Sequence, residues 1–205
     1  SIGTQVCDEY NVVIIDARVE QNVDALLEKH IGETLLVGVT SLTGAPLKDA
    51  IVFTEKVKSL NAEIPVIWGG WHTSLFPERV LNDVPQIDIA VQGQGEATFK
   101  ELVEAIDNGT DLQAVKGISY RKDEEVVKTP PRAMIDMNEF PRLNYDLIDV
   151  ERYFTAKGMR QFDFITSIGC FFRCTFCADP FVFNRKYSGL LPERVVDDLM
   201  YYHDK

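Results

Sequence analysis

The chain has 205 residues, of which 45% are hydrophobic and 26% are charged, the balance of an ordinary globular protein with one or two domains. Its formal net charge of −11 argues against broad binding to DNA or RNA and against adhesion to anionic lipid, since both need clustered lysines and arginines. No apolar run approaches the ~20 residues of a membrane helix, and residues 1–4 show no secretory signal. We therefore expect a cytoplasmic protein with no membrane span and no nucleic-acid partner.

The first half of the chain alternates short apolar runs with amphipathic stretches, which predicts an α/β domain with a parallel sheet of the flavodoxin-like or Rossmann-like kind. Helices are predicted at 22–30, from Pro46 onward and around 99–106, where Gly109 ends the last of them. The apolar runs predict buried strands at 12–17, 35–40, 65–68 and 87–91.

A hairpin and a linker are predicted next. The hairpin strands are expected at 117–121 and 125–128, around a polar turn at 122–124. Three prolines between 129 and 143 then punctuate a stretch with little periodicity, which is typical of a linker between domains.

Beyond residue 160, a strand is predicted at 162–167, and Pro192 begins a final helix. We expect the apolar face of this helix to pack on a core; the face consists of Val195, Val196, Leu199 and Met200. The predicted organisation is a sheet domain with its hairpin at 1–128, a linker at 129–160 and a last segment at 161–205.

Three of the four cysteines fall within eight residues, which indicates metal ligation in a reducing compartment and not a secreted disulfide framework. Cys170, Cys174 and Cys177 are spaced by four and three residues, so their thiolates can wrap one face of a compact iron–sulfur cluster. Such clusters normally have four cysteine ligands, and three leave one iron open, as a catalytic metal centre requires. The bulky neighbours expected to exclude water are Phe171, Phe172 and Phe176.

Two other interpretations of these cysteines stay open. A zinc site would need a fourth ligand from His203, Cys7 or His72, and the three cysteines could instead be unligated structural residues. Cys7 stands apart from the others, and we interpret it as a buried or partly buried thiol.

The C-x-x-x-C-x-x-C pattern, with Phe176 before its last cysteine and T-S-I-G before its first, resembles the signature of radical S-adenosylmethionine enzymes. The resemblance implies that the cysteines hold a [4Fe–4S] cluster on the first βα unit of a (β/α) barrel. It implies that S-adenosylmethionine binds the open iron and is split to a 5′-deoxyadenosyl radical by an electron that flavodoxin or ferredoxin supplies. Phe176 and Arg185 are implied as cofactor-binding residues.

Small and hydroxyl residues follow three of the predicted strands, at 41–44, 69–70 and 93–96. In an open parallel sheet, ligands bind outside the carboxyl ends of the strands, and small residues let the backbone approach a ligand closely. Each glycine could also serve only a tight turn. Neither a G-x-G-x-x-G motif nor a Walker A motif is present, which argues against a nucleotide-dependent dehydrogenase or an ATPase.

The runs W-G-G-W-H-T-S-L-F-P-E at 68–78 and D-I-A-V-Q-G-Q-G-E at 88–96 resemble the cobalamin-binding domain found ahead of many radical S-adenosylmethionine enzymes. His72 is then either a corrinoid contact or a histidine that satisfies its hydrogen bonds within its own loop. The chain departs from the resemblance in having no Asp-x-His-x-x-Gly cobalamin signature, and in carrying Gln94 where relatives commonly have glutamate. The resemblance implies that the corrinoid and its nucleotide tail are lined by Ser41, Thr43, Gly69, Gly70 and Gly93.

Together the two resemblances imply a cobalamin-dependent radical S-adenosylmethionine enzyme. The expected reaction is methyl transfer to an unactivated carbon or phosphorus centre of a small-molecule, natural-product or lipid-like substrate. The alternatives are a cyclase or rearrangement enzyme with the same cofactors, and a cofactor-binding module without turnover. A full barrel needs ~200 residues or more, so we expect a fragment of a longer protein whose last strand and helix leave a sheet edge and an apolar face exposed.

Overall fold

The structure is a computed structural model that describes residues 1–123, 125–161 and 163–204. It divides the chain into two compact units, which we name the sheet unit (Asn22–Ala133) and the cysteine unit (Ser1–Gln21 with Met134–Lys205). Glu124 of the predicted hairpin turn and Phe162 of the predicted strand at 162–167 lie outside the described residues. The predicted domain limits of 1–128, 129–160 and 161–205 stay a prediction, because compactness alone does not test them.

The sheet unit contains a mixed five-stranded sheet with the strands in sequential order. The first three strands run parallel, and the last two are added antiparallel as a hairpin, so the α/β fold class is confirmed. The strands are β1 (Val37–Thr40), β2 (Val66–Gly69), β3 (Ile89–Val91), β4 (Ile118–Lys122) and β5 (Glu125–Lys128).

Five helices accompany this sheet within the described residues. Asn22 caps the first helix, because its Oδ1 accepts the Ala25 N–H at 3.0 Å. Pro46 lies in the first turn of the second helix, where the N–H that proline lacks would have no partner within the helix. The third and fourth helices were not predicted, because each has too few residues to show the repeating apolar pattern by which a helix is recognised. The helices are α1 (Val23–His30), α2 (Ala45–Leu60), α3 (Trp71–Leu75), α4 (Pro77–Asp83) and α5 (Glu96–Asp107).

Side chains of β2, β3, β4 and α5 form the main hydrophobic core of the sheet unit. Trp68 is fully buried, and its indole N–H donates to Thr54 Oγ1 at 2.8 Å, so the buried polar atom keeps a partner. Phe99 of α5 packs against Gly38 of β1 so closely that a Cβ there would lie 3.3 Å from its ring. This packing fixes the helices against the sheet and leaves the carboxyl ends of β1 to β3 along one edge.

In the cysteine unit, the predicted strand at 162–167 is wrong for most of its length: residues 163–166 are irregular, and the strand begins at Ser167. It forms an antiparallel pair with a second strand that the sequence did not predict. Ser167 pairs with Gly189 and Gly169 pairs with Tyr187. The elements are α6 (Val150–Lys157), β6 (Ser167–Gly169), α7 (Asp179–Val182), β7 (Tyr187–Gly189) and α8 (Pro192–Asp204). None of the described helices is both long enough and apolar enough to cross a membrane.

The predicted strand at 12–17 is wrong. This stretch is irregular, pairs with no strand of the described residues, and belongs to the cysteine unit. Side chains of α6 hold it instead: Tyr153 Oη donates to Asp16 Oδ2 at 2.9 Å, and Arg152 donates to both carboxylate oxygens of Glu20 at 2.8 and 2.7 Å. A run of β-branched residues favours extended backbone, but a strand forms only where a ladder partner is available.

The final helix is confirmed as α8, but the expectation that its apolar face packs on a core is wrong. Three of the four apolar residues are exposed, with Met200 at 61%, whereas Asp198 is only 3% exposed. Arg142 Nε donates to Asp198 Oδ1 at 2.5 Å, and Arg194 Nε lies 3.5 Å from Asp198 Oδ2. Paired charge therefore occupies the inward side of α8, and most of the apolar face is exposed.

Candidate cofactor sites

Ser41, the first residue after β1, joins the ends of two neighbouring strands. Its backbone N–H donates to Gly69 O at 2.8 Å, and its hydroxyl donates to the same oxygen at 2.9 Å. Ser41 Oγ also lies 2.5 Å from Thr73 Oγ1 and accepts the Thr73 N–H at 3.3 Å. Both side chains are fully buried. Ser41 thus holds the loops after β1 and β2 together from within.

Gly70 allows these two loops to lie directly on each other. Its φ of +97° and ψ of −170° belong to a region that only glycine populates readily. A Cβ at this position would lie 2.8 Å from Ser41 O, the same oxygen that accepts the His72 N–H at 3.2 Å. Gly44, with a φ of +108°, differs in that a Cβ would meet nothing within 4 Å, so open space lies beside it.

Ser74 links the third strand end to the other two, although the sequence analysis missed it. Ser74 Oγ donates to Gly70 O at 2.7 Å and accepts the Gly93 N–H at 3.0 Å. The signal that could have revealed Ser74 is its position four residues after Gly70, the spacing at which a hydroxyl bonds the carbonyl one helical turn back. The structure therefore brings the three predicted strand ends together at one edge of the sheet.

Thr43 and His72 form a polar contact between the same loops. Thr43 Oγ1 lies 3.2 Å from His72 Nδ1, and the imidazole packs against Phe76 with ring centroids 5.3 Å apart. Burial, and secondarily the positive charge of Arg79, lower the pKa of His72 from its usual 6.5. The imidazole is therefore neutral at pH 7 and offers hydrogen bonding without charge.

The exposed surface of this edge suits a broad and largely apolar ligand. Leu42, Trp71 and Phe76 expose apolar side chains, and residues 41–44 and 69–74 include no aspartate, glutamate, lysine or arginine. A Cβ on Gly69 would meet Val91 at 3.9 Å, an ordinary contact, whereas open space lies beside Gly44. Binding sites for organic cofactors combine such apolar walls with a few polar groups. The residues present therefore fit a corrinoid, whose flat ring carries amide side chains.

The β6–β7 pair presents the cysteine loop (residues 170–177). Gly169 ends β6 with a φ of +75°, and a Cβ there would lie 2.2 Å from Lys186 O, so only glycine fits. Cys170 follows directly. Farther along the loop, the Cys177 N–H donates to Cys174 O at 3.1 Å in a tight turn.

The thiols of the cysteine loop are free and accessible to different degrees. Cys174 is exposed, whereas Cys170 and Cys177 are half-buried. Across residues 1–123, 125–161 and 163–204, no three His, Cys, Asp or Glu side chains lie close enough together to hold one metal ion. In that part of the chain the three cysteines are therefore not gathered around one point, either for zinc or for a cluster. Three free cysteines within eight residues match an iron–sulfur cluster in number and in ligand type.

Phe176 and Arg185, the two predicted S-adenosylmethionine contacts, lie on either side of α7. Phe176 is 91% exposed, and Phe171 and Phe172 are also exposed, so the expectation that they exclude water from the cysteines is wrong for the described residues. Arg185 has a φ of +57° in the turn that leads into β7, directly after Asn184 at +51°. Two successive non-glycine residues with positive φ are uncommon, and they fix the return of the chain toward the cysteine loop.

The chain matches a known family over the sheet edge described above. The family model for the B12 binding domain matches residues 4–103, which include every strand end of the candidate site. An uncharacterized methyltransferase of Pyrococcus horikoshii is 35% identical over 98% of this chain and 44% of its own length. An anaerobic magnesium-protoporphyrin IX monomethyl ester cyclase of Synechocystis sp. is 28% identical over 99% of this chain and 41% of its own length. The chain thus spans less than half the length of these curated relatives.

Solved structures show the same fold. The radical S-adenosylmethionine methyltransferase TsrM from Kitasatospora setae, solved with its tryptophan substrate and an S-adenosylmethionine analog, superposes with a TM-score of 0.76. The match covers 97% of this chain and 41% of TsrM at 21% identity. The cobalamin-dependent enzyme OxsB, solved with aqua-cobalamin and S-adenosylmethionine, gives a TM-score of 0.72 over 90% of this chain and 25% of OxsB at 22% identity.

Proposed function

We propose that this chain, which belongs to the family of radical S-adenosylmethionine proteins with a B12-binding domain, binds cobalamin at the sheet edge and a [4Fe–4S] cluster on the cysteine loop. One observation carries the proposal: the stretch that matches the B12-binding family contains the three strand ends that the structure ties together. The exposed apolar surface and the open space beside Gly44 support it further, because both suit a flat macrocycle.

Within the corrinoid site, the residues have different tasks. Gly69 and Gly93 are proposed to let the backbone approach the ligand, because neither presents a side chain, whereas Gly70 lets the loop after β2 lie directly on Ser41. Thr43 and neutral His72 offer hydrogen bonds to the ligand's amides at the rim. Ser41 is buried, and so it acts by holding the loops in place.

In the cysteine unit, Cys170, Cys174 and Cys177 would ligate three irons of the cluster and leave the fourth to S-adenosylmethionine. A cluster held by these thiolates would supply the electron for reductive cleavage of S-adenosylmethionine. Exposed Phe176 offers an aromatic face to the adenine, and exposed Arg185 offers charge to the carboxylate of S-adenosylmethionine. The electron would come from a flavodoxin or ferredoxin.

We infer methyl transfer to an unactivated centre of a small molecule as the reaction of the whole protein. The relative at 35% identity is a methyltransferase, whereas the cyclase stands at 28%. Cyclisation remains the second candidate, because the cyclase also aligns with nearly the whole chain.

Titration with hydroxocobalamin tests the corrinoid site. We expect the corrin absorption bands to shift and saturate at one cobalamin per chain, and His72→Ala to weaken binding. His30→Ala is the matched control, since His30 is the last residue of α1, in the same unit but outside the loops at 41–44 and 69–74. The absence of any saturable shift in the wild-type chain would contradict the corrinoid proposal.

Anaerobic reconstitution with iron and sulfide tests the cluster. We expect a broad visible absorption and about four irons per chain, both lost in Cys174→Ala and both kept in Cys7→Ala. Cys7 is a suitable control because its thiol bonds to Thr4 O at 3.5 Å, outside the cysteine loop. Tight zinc without iron in elemental analysis would reject the cluster.

A further inference from the structure

The segment at 136–142, which we name the strap, was predicted as linker but bonds directly to the strand that supports the cysteine loop. The Met137 N–H donates to Ser188 Oγ of β7 at 2.9 Å. Asn138 Nδ2 donates to Gly189 O at 3.0 Å, and the Leu191 N–H donates to Asn138 Oδ1 at 2.9 Å. The strap thus runs along β7 and binds it through side chains.

The Asn138 side chain completes the hydrogen bonding of β7 on the side away from β6. A single amide group has both a donor and an acceptor, and Asn138 uses one on Gly189 and the other on Leu191, as a neighbouring strand would. Asn138 is itself held: its N–H and Nδ2 donate to Asp136 Oδ1 at 2.9 and 2.7 Å. On the opposite side, Arg194 Nη1 donates to Asn138 O at 3.0 Å.

β7 in turn determines where the cysteine loop begins. The Leu190 N–H donates to Thr166 O at 2.8 Å, and the ladder ends at the pair formed by Gly169 and Tyr187. Cys170 is the next residue, and the Phe171 ring packs on Tyr187 with centroids 5.4 Å apart. A shift of β7 would therefore move the first cysteine and its neighbour together.

We propose that Asn138 is a positioning residue for the cysteine loop, because its side-chain amide fixes β7 and, through the β6–β7 ladder, the place of Cys170. The inference rests on the proposed function for the role of the loop as cluster ligand, but the contacts exist without the cluster. Asn138 touches no cysteine, so its effect on a cluster is indirect.

Hydrogen exchange of the chain without cofactors tests the positioning. In Asn138→Ala we expect the amides of 167–169 and 187–191 to exchange roughly tenfold faster, which is what losing one or two net hydrogen bonds produces. Asn108→Ala is the control, since it makes the same substitution in the sheet unit and removes an asparagine side-chain bond there, from Asn108 Nδ2 to Glu104 O at 2.8 Å. The control should leave those amides unchanged.

The reconstituted chain gives the second readout. We expect Asn138→Ala to broaden the electron paramagnetic resonance signal of the reduced cluster and to speed its loss to a chelator severalfold. Asn138→Gln keeps both the donor and the acceptor of the amide but places them one methylene farther along the side chain, so its exchange and its signal should be intermediate. If Asn138→Ala does not fold, Asn138→Gln alone decides the question by the same two measurements.

The possible outcomes separate the two proposals. Unchanged exchange at 187–191, or faster exchange spread evenly over the chain, would overturn the positioning role. A wild-type chain that takes up no iron would reject the cluster, while the exchange data would still decide whether Asn138 fixes β7. A cluster signal that Asn138→Ala leaves unaltered despite faster local exchange would also overturn the inference.

Discussion

The hydroxyls of Ser41 and Thr73 lie 2.5 Å apart, fully buried, and connect the end of β1 to α3 across 32 residues of sequence. Because Ser41→Ala leaves the Thr73 hydroxyl buried without this partner, we expect a loss of about 1–3 kcal/mol in the free energy of unfolding. Both tryptophans, Trp68 and Trp71, lie in the sheet unit, so urea unfolding followed by their fluorescence measures this loss.

A double variant and a surface control sharpen this first prediction. The double variant Ser41→Ala, Thr73→Val should lose less free energy of unfolding than the two single variants together, since neither hydroxyl is left without its partner. Ser59→Ala removes an exposed hydroxyl bond to Lys56 O on α2 and should change stability by less than about 0.5 kcal/mol. Equal losses of stability in Ser41→Ala and Ser59→Ala would show that the buried pair contributes no more than an exposed hydroxyl bond.

Gly70→Ala should destabilise the sheet unit and abolish cobalamin binding together. Alanine is strained at a φ of +97°, and its Cβ would lie 2.8 Å from Ser41 O, so the loops must separate. Gly109→Ala is the matched control, because Gly109 also has a positive φ of +64° but a Cβ there meets nothing within 4 Å. The control should lose about 1 kcal/mol and keep its affinity for hydroxocobalamin. Similar affinity in both variants would place the corrinoid elsewhere.

Much of the sheet unit could be predicted because its signals are local. The apolar runs before Ser41, Gly69 and Gly93 predicted strands, and small residues after them predicted a common edge, which the structure confirms. Thr73 could not be predicted as a linking residue, since only the fold brings Ser41 near it. The spacing of Ser74 from Gly70 indicates the bond between them, but not the bond from Gly93 to Ser74.

The cysteine unit was harder to predict because its stability depends on distant pairs. The apolar stripe of α8 predicted a helix correctly, but it could not show that Asp198 finds Arg142, 56 residues earlier, and therefore faces inward. The run at 12–17 has strand propensity, yet side-chain bonds to α6 replace a ladder. The proline-marked stretch around Asn138 resembled a linker because side-chain bonding to a strand leaves no periodic pattern.

The cysteine unit should lose stability as the pH falls from about 4 to about 2. The hydrogen bonds from Arg18 hold the pKa of Asp16 at about 2, against a usual 3.8, and outweigh the opposing effect of burial. Because the folded-state pKa is the lower one, the stabilisation is present above pH 4 and disappears as the pH approaches 2. Thermal unfolding followed by circular dichroism from pH 6 to pH 2 measures it.

Two variants test the assignment of this pH dependence to Asp16. Asp16→Asn should flatten the fall between pH 4 and 2, since the titrating group is gone. Arg18→Gln should also shrink the fall, because it removes the main cause of the lowered pKa and brings the folded-state pKa of Asp16 closer to the unfolded one. A wild-type profile unaffected by either change would assign the acid sensitivity to other carboxylates.

Tyr120→Phe should stabilise the sheet unit, unlike most substitutions in a core. Tyr120 is only 5% exposed, and its hydroxyl has no hydrogen-bond partner in the described parts of the chain, so removing it leaves the packed ring and relieves a desolvated polar atom. We expect a gain of up to about 1 kcal/mol by urea unfolding. Tyr153→Phe is the matched comparison in the cysteine unit, because the Tyr153 hydroxyl donates to Asp16. Burial and this bond raise the pKa of Tyr153 to about 12. The phenol therefore stays neutral and bonded below pH 10. The same chemical change should therefore destabilise at Tyr153, and a loss of stability at both tyrosines would mean that the Tyr120 hydroxyl has a partner, such as an ordered water.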